Sequence, residues 1–137
     1  ACAYCDGLII DDTHMRSGGY YSSYVMQDNK EVMLIALNTI QWTMPPRFAP
    51  SYLNQEKDAW VQLSWFKEQL QRNHAKQLLI AMHIPPGNNI TGKSFWHPLF
   101  AKKFINLLNE YKPFYDQISL ITSHTHMEEF RKIKLPR

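Results

Sequence analysis

Two short apolar runs in this chain end in histidine. Gln77-Leu-Leu-Ile-Ala-Met-His83 is followed by Ile84-Pro-Pro-Gly87, and Ile118-Ser-Leu-Ile-Thr-Ser-His124 continues into Thr125-His126-Met-Glu-Glu-Phe130. Runs of this length bounded by turn residues predict buried strands over 77–83 and 118–123. Residues 31–40 hold a third, apolar without a break from Val32 to Leu37. Such a run predicts a strand covered on both faces. Residues 20–27, rich in Tyr and Ser, predict a further strand that turns at Asp28-Asn29-Lys30 and pairs with 31–40 as a hairpin. The period then changes. Ala59, Leu63, Phe66 and Leu70 recur at helical spacing, widened by Trp60 and Trp65. Asn54 supplies a cap, Glu56 and Asp58 suit the first turn, and Asn73-His74 ends the helix, His74 as a polar end residue. Pro98 opens a second helix with Phe100, Phe104, Leu107, Leu108 and Tyr111 on one side, stopped at Lys112-Pro113. Residues 130–135 are expected to return as an edge strand.

Residues 1–17 show no regular pattern and end in the turn signal Ser17-Gly18-Gly19. Residues 41–51, with Pro45, Pro46 and Pro50, read as a loop whose Trp42 and Phe48 are expected to pack over the core. From residue 31 the order is strand, helix, strand, helix, strand. Crossover helices between buried strands, beside the hairpin, imply an α/β fold with a mixed, largely parallel sheet flanked by helices. No repeat or linker divides residues 1–137, so the chain reads as a single piece, 1–17 leading into an 18–137 core.

At 137 residues and 45% hydrophobic content, the chain has the size and composition of one packed domain. Its net charge of +3 is scattered. Only Arg131-Lys-Ile-Lys134 and Arg137 cluster, and they read as a solvated tail, not as a nucleic-acid face. No apolar run approaches the ~18–20 residues of a membrane span. No leader pattern is present; the chain opens on Ala1, so trimming or processing is expected. Cys2-Ala-Tyr-Cys5 has no second pair to complete a zinc site and is read as incidental thiols or as a disulfide of a secreted protein.

The chemistry lies where the strands end. Asn38-Thr39 closes the first central strand, His83 the second, His124 and His126 the third. In open α/β sheets ligands bind outside the carboxyl ends of the strands, and neutral imidazole ligates zinc, iron and similar ions. His124 and His126, at i and i+2, share one side of an extended chain. Asp12-Thr13-His14 has the spacing of a metal-binding Asp-x-His, but no Gly-Asp or Gly-Asn-His element follows it, and a polar loop is the expectation.

His83-Ile-Pro-Pro-Gly87 and Ser123-His124-Thr-His126 resemble the last two metal-binding motifs of the calcineurin-like metallophosphoesterases, in particular their acid sphingomyelinase-like branch. Gly18-Gly-Tyr-Tyr-Ser22, Leu34-Ile-Ala-Leu-Asn-Thr39 and the helix over 60–70 fall in the same order, and the resemblance runs from about residue 18 to 131. It implies the C-terminal half of a four-layer α/β/β/α sandwich that hydrolyses phosphate esters, most of all phosphodiesters. It also implies two divalent metal ions of the Zn, Mn or Fe type. His83 and His124 would bind one and His126 the other, with a metal-activated hydroxide for in-line attack. Asn38 would shape the floor of the site without ligating, and the 88–96 loop would border the substrate. Ser123 stands where the family has Gly. The family's Asp-x-His, bridging aspartate and Asn-His elements belong to an N-terminal half that this sequence does not contain. The resemblance therefore implies a partner in that missing half, an incomplete metal site and little activity for this chain alone. The branch is often exported, and Asn89-Ile-Thr91 is a glycosylation sequon.

Two other readings stand beside this one. The chain is a non-catalytic or degenerate module that binds a partner, or forms a homodimer, through an exposed sheet edge. Or His83, His124 and His126 converge on one zinc ion as a self-contained site.

Overall fold

The computed structural model describes residues 4–43, 54–73 and 75–135. Five strands form one sheet in the order β1-β2-β3-β4-β5: β1 Ile9–Asp11, β2 Tyr21–Met26, β3 Asn29–Leu37, β4 Gln77–Met82 and β5 Gln117–Ile121. Two pairings are antiparallel and two parallel. The sheet is mixed, as expected, but its pairings are evenly divided because the 1–17 region contributes a further antiparallel strand. There β1 pairs with β2, and the one-turn helix α1 (Met15–Gly18) ends at Gly19, whose φ of 71° suits a residue without Cβ. A three-residue strand is too short to show a period, which is why this region looks irregular in sequence. The β2–β3 hairpin forms as expected, with the closing pair Met26 and Asn29 one residue earlier than the predicted turn.

The two crossovers carry α2 (Gln55–Arg72) and α3 (Pro98–Tyr111). Both helices pack on the same face of the sheet and on each other. Phe66 of α2 stacks on Phe104 of α3 at 5.3 Å, and both are fully buried among Met33, Ile35, Leu78 and Ile80. Trp42, in a 3₁₀ turn over Thr39–Trp42, is also in this core, with its indole N–H donating to the Ala59 carbonyl at 3.2 Å. Phe48 and the rest of its proline-rich loop lie outside the described residues, as do His74 and Arg137. Asn54 stands at the α2 cap position without making a side-chain cap bond. At α3, Pro98 takes the first turn and the His97 ring accepts from Leu99 N–H. Tyr115 donates to the carbonyls of Leu70 and Asn73, tying the end of α2 to the start of β5; burial pushes its hydroxyl up to about 12.

The opposite face of the sheet differs from expectation. On β3 and β4, Met33, Ile35, Leu37, Leu78, Ile80 and Met82 are buried, whereas Val32, Leu34, Ala36, Leu79 and Ala81 between them are only half-buried. Parallel register aligns Leu34 with Leu79 and Ala36 with Ala81, and places Ile121 beside Ala81. The result is a half-buried apolar strip, in contrast to the buried face under the helices. β5 is likewise half-exposed, not buried, and ends at Ile121, 54% exposed. Residues 130–135 form no strand: they run past β5 without pairing, and Phe130 is 95% exposed.

Candidate metal half-site

Three strand ends meet at one edge of the sheet. β3 ends at Asn38-Thr39, and the buried Thr39 hydroxyl accepts from Ile84 N–H at 3.1 Å, which fixes where the chain leaves β4. Ser123 N–H donates to the His83 carbonyl at 3.0 Å, extending the β4–β5 ladder by one step beyond the strands proper. These two bonds place His83 and His124 side by side. Their rings are 5.2 Å apart and nearly perpendicular, with His124 Nδ1 3.3 Å from His83 Nε2. Both side chains are exposed.

That separation has a chemical meaning. Two nitrogens at ~2.0–2.1 Å from one tetrahedral ion stand about 3.3–3.4 Å apart. The pair thus matches two adjacent corners of one coordination sphere.

His126 is not brought into this pair. It is exposed and makes no hydrogen bond, ion pair or ring contact with the described residues. Convergence of all three imidazoles, needed for a self-contained zinc site, does not occur here. Among the described residues no group of three or more His, Cys, Asp or Glu side chains is arranged to hold a metal ion. Two imidazoles therefore fit half of one ion's ligand set, and the remainder does not come from the described residues.

The backbone at this edge is strained. His124 (φ 81°) and His126 (φ 57°) are the non-glycine residues with positive φ among those described. Each such conformation costs of order 1–3 kcal/mol and persists where surroundings over-determine it, often at functional sites. Ser123 is not among them, so its Cβ meets no left-handed penalty.

Neighbouring groups complete the surface. Phe95, from the 88–96 loop, sets its ring edgewise to His124 at 5.4 Å, which places that loop at the site as the sequence suggested. Arg131 lies over the same Phe95 ring at 5.5 Å and contacts Glu129. This corrects its reading as part of a solvated tail. Neither Phe95 nor Arg131 carries a spacing signal that sequence reasoning could have used. Asn38 donates through its side chain to the Gly18 carbonyl at 2.8 Å, an anchoring role at the end of β3. Asp12-Thr13-His14 belongs to a different part of the molecule: His14 stacks on Tyr20 at 5.0 Å and lies edgewise to Trp65 of α2. Cys5 is disulfide-bonded, which agrees with the disulfide alternative.

No protein-family model and no curated protein matches the chain.

Proposed function

We propose that this chain is the C-terminal half of a metal-dependent phosphoesterase of the calcineurin-like type, and that it carries part of a two-metal centre. The observation that bears most weight is the His83–His124 pair, whose 3.3 Å nitrogen separation suits two ligands of one ion. On the resemblance, His126 serves the second ion. Divalent ions bound there would neutralise phosphate charge and activate water for in-line attack. This chain's own residues would hold an ion at His83 and His124, border the site with Phe95, and anchor its edge through Thr39 and Ser123.

The half-buried sheet face supports the same reading. A four-layer α/β/β/α sandwich needs each sheet covered by helices on one side and by the other sheet on the second. Here α2 and α3 cover one face only, and the apolar strip of Leu34, Ala36, Leu79, Ala81 and Ile121 is left for another layer. The coding sequence upstream of Ala1 provides the test. Asp-x-His, Gly-Asp and Asn-His elements encoded there, in that order, are the expected result. An upstream sequence lacking them would overturn the hydrolase reading.

The same strip favours one alternative, a module without activity whose sheet face or edge joins a partner or a second copy of this chain. Among the described residues no helix is long and apolar enough to cross a membrane.

A further inference from the structure

Arg131 is held in an unusual amount of detail for a side chain outside the core. Its Nε donates to Glu129 Oε2 at 2.9 Å, Nη2 lies 2.7 Å from the same oxygen, and Nη1 donates to the Pro86 carbonyl at 3.3 Å. The guanidinium lies over the Phe95 ring, 5.5 Å from its centroid. The space it fills exists because residue 87 is glycine. A Cβ on Gly87 (φ 109°) would stand 2.9 Å from Nη1, too close for both to remain. Carboxylate, carbonyl, aromatic ring and glycine gap come from three segments, and together they fix the plane of one cation.

Arginine has five N–H donors in a rigid fork. Three are engaged by Glu129 and Pro86, which leaves one on each terminal nitrogen. Two donors therefore remain for the oxygens of one tetrahedral oxyanion. The guanidinium is linked to the histidine pair through Phe95, whose ring meets both Arg131 and His124. We propose that Arg131 is an oxyanion-binding residue of this site, placed to take the two non-bridging oxygens of a phosphate ester. Its ligand rests on the phosphate-ester reading above; its geometry does not. Glu129 restrains the fork and, by partial neutralisation, keeps the anion exchangeable.

The test uses inorganic phosphate titrated into the metal-free chain, followed through the arginine Nε–H resonances by NMR. The expected result is a saturable shift at Arg131 in the wild type; in the variants binding is read from the backbone amides of Gly87 and Phe95, and is weakened at least about tenfold in Arg131→Gln and less in Arg131→Lys, which keeps the charge without the fork. Glu129→Gln separates binding from a purely structural clamp. Freed of its counter-charge, Arg131 should hold phosphate more tightly in that variant, whereas a clamp that merely ties down the chain would loosen and bind no better. No shift at Arg131, undiminished binding in Arg131→Gln, or weaker binding in Glu129→Gln would overturn the proposal. Because metal is absent throughout, a negative result leaves the His83–His124 ion site standing. Failure of metal binding, in turn, does not touch a positive result here.

Discussion

Asp11 accepts from Thr13 N–H and hydroxyl at 3.0 and 2.6 Å, from the Trp65 indole at 3.1 Å and from the Gln69 amide at 3.0 Å. Gln69 in turn accepts from the buried Ser22 hydroxyl at 2.6 Å, so one carboxylate organises the meeting of β1, β2 and α2. Burial pushes the Asp11 carboxyl up, but the hydrogen bonds from Thr13, Trp65 and Gln69 outweigh it and hold the group below its ordinary value of 3.8. Since the unfolded chain takes up this proton at higher pH than the folded one, the contribution to stability is complete above that ordinary value. It is lost as pH falls through the lower, folded value. Denaturant midpoints measured downwards from pH 5 should therefore fall, and Asp11→Asn should flatten the acid part of that curve. Nothing in the sequence marked Asp11 out, because its partners are 54 and 58 residues away and no local spacing encodes them. His83 and His124 were legible for the opposite reason: each closes an apolar run, and parallel strands bring such ends together. His126 shows the limit of that rule, since its backbone has already left the extended conformation that i and i+2 reasoning assumes.

The hairpin and both crossover helices follow from period and punctuation. Pro98 opens α3, and Phe100, Phe104, Leu108 and Tyr111 are the side it buries. Phe104 touches Trp42, Phe66 and Trp96 and has no exposed surface. Phe104→Ala should cost about 3–5 kcal/mol through lost burial and the cavity left behind, readable as a shift in the urea midpoint at unchanged m-value. What the period could not show is coverage. An apolar run such as Val32 to Leu37 says that both faces of β3 avoid water, not which layer shields each one. It predicts a doubly covered strand whether the second cover is a helix of this chain or something else. The return strand over 130–135 does not form; that segment instead holds Arg131 against Pro86 and Phe95.

Taken together, the molecule is a two-layer α/β unit with a half-buried apolar sheet face and an exposed pair of imidazoles, His83 and His124, at the carboxyl edge of that sheet. Adjacent residues on β4 test the half-buried face. Leu78 is fully buried against the helices and Leu79 is half-buried on the other side. Leu79→Lys should keep the fold and reduce self-association in sedimentation velocity, whereas Leu78→Lys should unfold the chain, because it buries an unpaired charge. Equal loss of fold in both would mean that the second face is already covered. The half-site itself is tested most directly by zinc binding at neutral pH, followed by titration calorimetry with elemental analysis of the dialysed protein. The account predicts binding that His83→Ala and His124→Ala each weaken at least about tenfold and that His126→Ala leaves in place. Zinc held equally well by wild type, His83→Ala and His124→Ala would contradict it.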